Sequence, residues 1–577
     1  MAILAAAVDI SAQQGQRIQK LIELGIALSA ERNRDRLLER ILLEAKGLAN
    51  ADGGTLYLRT EDDALKFAIM RTDSLKIAMG GTTGKPIPFP PLRLYDPESK
   101  QPNHKNVSTH TAVVGHSVNI PDAYESKEFD FSGTKKFDQG TGYRSKSFLT
   151  VPLKNHENEV IGVLQLLNAQ DPGTGEVIPF GADIQPLIEA LASQAAVALD
   201  NQQLIQAQRD LLEAFIKVIA HAIDRKSPYT GGHCERVPVI TEMLAEAAVE
   251  DTGIFKDFRL SEDDWYELHI AAWMHDCGKV TTPEYVVDKA KKLETIYDRI
   301  ETVRARFEIL RRDAEIDYLK ACLDPATDKE AARRELEARQ KQLDDDVEFI
   351  SRINIGGEFM PDPEIERLKR IAQMSVETAR FHSKKDVDEL KTKGQTATEY
   401  KIIDRKRRPF LDENEVYNLS IRRGTLTAEE RKVINDHIVV TIDMLEQLPF
   451  PKQLKRVPEF AGGHHEKMDG TGYPRGLKRD QMSIPARIMA IADIFEALTA
   501  RDRPYKPAKK LSESLEIMWK MKKEAHVDPD LFDLFLRSGV YKKYAERFLP
   551  PEQCDHVEVE KYLGPATAEP QQKRAAG

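Results

Sequence analysis

The sequence predicts a multidomain chain in which an α/β domain is followed by a long helix and then by a series of helical segments. Three observations lead there. At 577 residues the chain exceeds what one core can organise, so two or three domains are expected. The first two hundred residues mix one helical pattern with three strand patterns. Beyond residue 186, most segments place apolar residues at helical spacing.

In the first region, LIELGIALSAERNRDRLLERILLEAKGLAN reads as helix, and GGTLYLR, SFLTVPLK and EVIGVLQLLNA read as strands. Turn-rich pieces such as GGTTGKPIPFPP separate them. A helix is expected over 186–224, where Val197, Leu204, Leu211 and Val218 recur every seven residues beside Ala198, Ile205, Leu212 and Ile219. Such a repeat suits a parallel coiled coil between two copies, and the alternative is a helix packed on its own domain. Residues 290–425 read as a helical insertion. Leu293, Ile296, Ile300, Val303, Phe307 and Leu310 alternate steps of three and four, and LDPATD then breaks the pattern. KEAARRELEARQKQLDDDVEFI resumes helix, completing a hairpin, and a third helix is expected from about Pro363 to Phe381. The boundaries expected are an N-terminal segment 1–19, an α/β domain 20–200, the connecting helix 186–224, a second domain 206–550 carrying the insertion, and a flexible tail 551–577.

Composition limits the function. The net charge of −10 argues against broad binding of DNA, although a few basic residues can still hold a phosphate ligand. No apolar run approaches the roughly 18 residues that span a bilayer. The four cysteines form no CxxC pair, which favours a reduced, cytoplasmic setting.

Five contexts place a potential metal ligand at a defined point of a helical pattern. They are His233 in PYTGGHCERV, His275-Asp276 in LHIAAWMHDCGK with Gly278 as helix C-cap, His437 in a helix opened by a Thr427/Glu430 capping box, the pair His464-His465 in GHHEKMDGTGYP, and Asp493. Asp493 is the only polar residue between Ile488 and Phe495. A buried carboxylate there needs a metal, a cation or strong hydrogen bonds, and a salt bridge to Arg487 or Arg503 is the alternative.

Two family resemblances follow from these residues. NIPDAY (119–124), FDQGTGYRSKSFLTVPL (137–153) and VLQLLNAQDP (163–172) resemble a GAF domain, a small-ligand sensor module, of the kind attached to cyclic-nucleotide enzymes. Phe180 and Asp183 stand where that subgroup's later Phe and Asp fall. The resemblance implies a small ligand of unknown identity, or else a ligand-free scaffold for a homodimer. His275-Asp276 with Gly278-Lys279, then HHEKMDGTGYP, Asp493 and DRPYK, resemble the HD-GYP branch of the HD-domain metal-dependent phosphohydrolases, over roughly 206–290 and 425–545.

That second resemblance implies an all-α domain that hydrolyses cyclic di-GMP to pGpG, and onward to GMP, with a metal-activated hydroxide. It implies two divalent ions, iron or manganese by ligand type, held by His233, His275, Asp276, His437, His464, His465 and Asp493, with Asp276 bridging. Lys279 is expected to offset phosphoryl charge, and Arg503 and Lys506 to bind the ligand. Arg236 is a weaker candidate, since an ion pair would also explain it. Glu466 is expected to orient a histidine, and Gly472, Tyr473 and Pro474 to dock GGDEF-domain proteins. Tyr229 replaces a glutamate that holds a third metal in some members, which favours two ions. Two other readings stay open: a mixed cyclic GMP-AMP substrate, and a non-catalytic module that senses the dinucleotide and docks partners.

Overall fold

The computed structural model describes residues 19, 21–226, 232–357, 359–381, 384–393, 402–501 and 508–563. The chain divides into two compact units, 1–212 and 213–577. Among the described residues no helix is long and apolar enough to cross a membrane.

The N-terminal unit is a twisted antiparallel sheet with helices against it. Helix α1 covers 21–30, and α2 spans Arg34–Ala49. The single helix expected here is split because Asn33 turns extended and accepts from Arg36 N, an N-cap that starts a new helix. Strands β1 (Ala51–Arg59), β2 (Ala64–Thr72), β3 (Ile77–Gly80) and β4 (Leu92–Arg93) follow, then α3 (Val107–Val114), β5 (Val118–Ile120) and α4 (Ser132–Thr141). Strands β6 (Phe148–Lys154), β7 (Val160–Gln170) and β8 (Val177–Ile178) complete a sheet ordered β3-β2-β1-β7-β6-β5, with β4 on β2 and β8 on β7. The three expected strands are β1, β6 and β7, which are adjacent in the sheet.

One face of the sheet buries Leu56, Leu149, Val151, Leu164 and Leu166 against Leu37, Ile41 and Leu42 of α2 and against Ile188, Leu191 and Ala195. The other face keeps a buried polar cluster beneath α3. There Gln165 Nε2 donates to Ser108 Oγ at 3.1 Å and Thr150 Oγ1 at 3.3 Å, and Tyr57 OH donates to Gln165 Oε1 at 3.3 Å. Asn168 is structural: its Oδ1 accepts from Lys146 N at 2.7 Å and its Nδ2 donates to Arg144 O at 2.8 Å. Phe180 lies in the apolar core.

Helix α5 is continuous from Gln185 to Lys226. Val197, Leu204, Leu211 and Val218 are each about half exposed or more in the single chain, so the heptad stripe faces outward rather than into a core.

The C-terminal unit is helical. Helices α6 (His233–Glu250), α7 (Glu262–Met274) and α8 (Glu284–Val287) lead into the insertion. There α9 (Ile300–Cys322) and α10 (Lys329–Asn354) form the expected hairpin, burying Val303, Phe307 and Leu310 against Leu343, Phe349 and Ile350. The hairpin starts at Ile300; Ile296 is 97% exposed and takes no part in the seam. The third helix, α11 (Asp362–Ala372), is shorter than expected. Ser375–Phe381 is a strand, β9, and after α12 (Lys384–Thr392) it pairs antiparallel with β10 (Ile402–Pro409). Val376 is β-branched, buried and suited to the ladder, whose partner strand lies beyond a further helix. Helices α13 (Glu413–Leu419), α14 (Ala428–Asn435), α15 (His437–Glu446), α16 (Val457–Gly462), α17 (Ile484–Thr499), α18 (Leu511–Lys523), α19 (Pro529–Arg537) and α20 (Val540–Phe548) complete the unit. The tail expected to be flexible is anchored as far as it is described. Gln553 is buried and donates to Thr499 O at 3.1 Å and Lys509 O at 2.9 Å, and Tyr562 is buried. Residues 564–577 lie outside the described residues.

Lys292, 1% exposed, sits at the base of the insertion and donates from Nζ to Leu419 O at 3.0 Å. Burial pushes its ammonium down to about 8 from the ordinary 10.5. The unfolded chain keeps that proton to higher pH than the folded one, so the burial costs stability below pH 8, a cost that fades as pH rises toward 10.5. Lys292→Met is therefore expected to stabilise the C-terminal unit at pH 7. The gain is about 2 kcal/mol once the lost hydrogen bond is deducted, and it shrinks toward pH 10. Thermal melts across pH check this, and a variant melting below wild type at pH 7 contradicts it.

Candidate metal centre

The C-terminal unit brings the ligand candidates from all five contexts together, and local sequence explains how each is aimed. Helix α7 opens on a Ser261/Asp264 capping box and ends at Met274, so His275 and Asp276 emerge at its C-terminus before a 3-10 turn, Cys277–Thr281. The Thr427/Glu430 capping box is present, and the helix it opens breaks at Asp436, which makes His437 the first residue of α15. His464 and His465 follow α16, and Asp493 lies inside α17.

Three of the histidines are oriented by one device. The Nδ1 of His275 faces Ala272 O at 2.8 Å, that of His464 faces Ala461 O at 2.6 Å, and that of His437 faces Ile434 O. A ring whose Nδ1–H donates to the carbonyl three residues back presents its Nε2 lone pair to the centre. His233 opens α6, and its Nδ1 meets a carboxylate instead, Glu496.

The ligand atoms form two groups. His233, His275, Asp276 and Asp493 make one, and Asp276, His437, His464 and His465 the other; within each, the candidate atoms all lie within 4.8 Å of one another. Asp276 belongs to both, and its two oxygens divide between them. Oδ2 is 3.2 Å from His233 Nε2 and 3.3 Å from His275 Nε2, whereas Oδ1 is 3.2 Å from His437 Nε2. Asp493 Oδ1 lies 3.3 Å from His233 Nε2. Arg487, the alternative partner for Asp493, pairs with Asp528 instead.

The residues fit divalent cations. Asp276 Oδ1 and His464 Nε2 are buried polar atoms with no hydrogen-bond partner, which is costly unless something else satisfies them. Burial, then His275, lowers His464 to about 4, and burial with His464 holds His465 well below its ordinary value. Both rings are therefore neutral near pH 7, the form that coordinates a metal. Burial alone would raise Asp276, but the Lys279 ammonium and His275 outweigh it and keep the carboxylate ionised. Asp493 is likewise held low, with His233 outweighing burial. Imidazole and carboxylate donors in this mixture suit first-row divalent ions.

Several side chains complete the centre. Lys279 Nζ is 2.5 Å from Asp276 Oδ2 and partly exposed. Arg236, expected among the substrate-binding residues, donates from Nε to Glu496 Oε1 at 2.7 Å and so braces the acid behind His233. Glu496 was not expected; it lies three residues after Asp493, one turn further along the same helix, and that spacing was the available signal. Arg503 and Lys506 lie outside the described residues, as does Tyr229.

Glu466 does not orient a histidine. It is buried, and its two oxygens accept from Arg475 N at 2.7 Å and Leu477 N at 3.0 Å, tying the glycine-rich loop back on itself. Asp469 accepts from Thr471 N at 2.9 Å, and Gly472 packs so closely that a Cβ there would stand 2.3 Å from Lys467 N. The fastened loop lays the Tyr473 ring on His465, centroids 4.9 Å apart and 20° from parallel. Tyr473 thus forms a wall of the centre. Glu466→Ala is expected to speed hydrogen exchange at the Arg475 and Leu477 amides by about 10²-fold, since two charge-assisted bonds are lost. Exchange unchanged at both amides would contradict the fastening role.

Comparison with known proteins agrees with this layout. Residues 33–199 match the GAF domain family and residues 414–531 the HD domain family. The HD match opens at residue 414, within the last residues of the 290–425 insertion, and so leaves out His233, His275 and Asp276. Over 110 residues the chain is 42% identical to 3′3′-cGAMP-specific phosphodiesterase 3 of Vibrio cholerae, covering 19% of this chain and 23% of that protein. It is 45% identical over 83 residues to 3′3′-cGAMP-specific phosphodiesterase 1 of the same organism, covering 14% and 19%. It is 35% identical over 117 residues to a cyclic di-GMP phosphodiesterase of Thermotoga maritima, covering 20% and 31%. The matched segments thus span less than a third of each relative.

Proposed function

We propose that this chain, in which a GAF domain precedes an HD domain, is a cyclic-dinucleotide phosphodiesterase of the HD-GYP type. The observation that carries the reading is the pair of ligand groups sharing Asp276, one oxygen to each, next to a lysine and beneath the Tyr473 wall. When bound, two divalent ions supply Lewis-acid activation of water and neutralise charge at the phosphate. Iron or manganese suits the donor set.

The protein's own residues supply the rest. Asp276 spaces the two groups, and the neutral imidazoles of His464 and His465 keep their lone pairs on the centre. Lys279 stays cationic, because Asp276 and Asp493 outweigh the effect of burial, and it is placed to hold a non-bridging phosphoryl oxygen. Hydrolysis adds water across one 3′ P–O bond and leaves the linear dinucleotide; cyclic di-GMP gives pGpG, and a second round gives GMP. Arg503 and Lys506 are assigned to the ligand phosphates by their place in the DRPYK motif. The outward heptad stripe of α5 fits a parallel homodimer, through which the GAF domain, taking a small ligand, would control hydrolysis. Gly472, Tyr473 and Pro474 are half-buried, with Thr471 and Arg475 exposed on either side, and this loop is assigned to a GGDEF-type partner.

The named side chains meet phosphates rather than bases, and the 42% identity to a 3′3′-cGAMP-specific enzyme supports a mixed dinucleotide as the second reading. Parallel turnover of cyclic di-GMP and 3′3′-cGAMP by the manganese-loaded protein decides between them. Faster loss of cyclic di-GMP is expected, and faster loss of 3′3′-cGAMP would move the assignment to the mixed substrate.

A further inference from the structure

The last turn of α5 grips two elements of the first ligand group. Helix α6, which begins with His233, has no side-chain cap of its own, since its N-cap residue is Gly232 in a left-handed conformation at φ 79°. The missing cap comes from another helix. Asp224 of α5 is buried, and its oxygens accept from Gly232 N at 3.0 Å and Cys234 N at 3.4 Å. An acid in this position satisfies amides left open at a helix start. Two residues on, Lys226 Nζ donates to Val280 O and, at 3.4 Å, to Lys279 O. Both carbonyls belong to the 3-10 turn that directly follows Asp276. One turn before, His221 Nε2 stands 2.6 Å from Glu235 Oε1 on the first turn of α6. One end of one helix therefore fixes both the start of α6, with His233, and the turn behind Asp276.

We infer that Asp224 and Lys226 are positioning residues through which the C-terminal turn of α5 sets the geometry of the group formed by His233, His275, Asp276 and Asp493. The inference rests on the reading that this group holds a metal ion. Helix α5 is continuous from Gln185, so a shift along its axis moves the cap of α6 and the turn behind Asp276 together. The group of His437, His464 and His465 sits on α15 and after α16, and it shares Asp276 with the first group.

The test is manganese binding to the full-length protein, followed by equilibrium titration, with Asp224→Ala, Asp224→Asn and Lys226→Met beside wild type. Wild type is expected to bind two ions. Asp224→Ala and Lys226→Met are each expected to weaken one ion by about 10–100-fold, the range found when the supports of metal ligands are removed, and to leave the other within about threefold. Asp224→Asn keeps an acceptor for the α6 amides and is expected to recover most of the lost affinity. Equal weakening of both ions, or no change in either, overturns the inference; equal weakening is what simple uncapping and loosening of the fold would give. A wild type that binds no manganese overturns it too. Hydrolysis is scored separately. Wild type that binds two ions yet cleaves no cyclic dinucleotide sinks the proposed function alone, because the split in affinity can still be read.

Discussion

Asp276→Ala is expected to abolish activity and to strip the centre of metal. The reason is positional: Asp276 is the only residue common to both ligand groups, and each oxygen faces a different one. Loss of any other ligand leaves one group whole. Loss of this one leaves two sets of three neutral or singly charged donors and removes the anion that Lys279 and His275 face. Turnover should fall by at least about 10³-fold, more than the loss of a single preorganised donor in a catalytic site. Metal content should fall below one ion per chain. Turnover at the wild-type rate with metal retained would contradict the shared role. His465→Ala provides the contrast, since it should lower the affinity for one ion and leave the other.

Gly278→Ala is expected to be nearly as damaging, although Gly278 carries no side chain and coordinates nothing. The 3-10 turn after Asp276 crosses the start of α15 at a distance only glycine permits. A Cβ at Gly278 would stand 1.9 Å from His437 O, 2.6 Å from Thr441 N and 2.7 Å from Thr441 Oγ1. Gly278 N also donates to Thr441 Oγ1 at 2.9 Å, so the contact is a fastening as well as a close approach. The added methyl must push α15 away from the turn, which separates His437 Nε2 from Asp276 Oδ1. Overpacking of this kind costs about 1–3 kcal/mol or more. A ligand displaced by about 1 Å costs on the order of 10²-fold in rate. Activity and thermal stability measured on one preparation check both effects. A variant with wild-type turnover would mean that the turn and α15 can part without harm.

Gly278 also shows why some of the centre was legible in the sequence and some was not. The histidines and Asp276 were legible because each is a chemically distinct residue at the start or end of a helical pattern. Asp493 stood out as the one polar residue in an apolar run. Gly278 was read as a helix cap because a glycine after an apolar helix usually is one, whereas its reason here is a contact with residues some 160 positions away. Glu466 departs from expectation for the same cause: beside two histidines a carboxylate suggests a ligand's support, yet its partners are amides beyond the GYP turn. Glu496 and Asp224 escaped because an acid at helical spacing has many innocent uses, and only the fold puts one behind His233 and the other at the start of α6.

The fold followed the same division. Strands β1, β6 and β7 and the α9–α10 hairpin were visible because their apolar periods are long and local. Strand β9 reads locally as the end of a helix, since its partner β10 lies beyond a further helix and nothing local announces the pairing. Ile296 continued the three-four spacing of α9 but falls in the turn before it. There the Lys292 and Leu293 amides bond to Asn354 O and Oδ1 instead of entering the helix.

The central claim, that the two groups joined by Asp276 form a metal centre that opens a cyclic dinucleotide, is tested most directly by product analysis. Protein freed of metal by chelation and then reloaded with manganese or ferrous iron is incubated with cyclic di-GMP. The products are then separated. The account predicts no product before reloading and linear pGpG after it, rising with occupancy toward two ions per chain. Protein carrying two bound ions that leaves both cyclic di-GMP and 3′3′-cGAMP intact would contradict it.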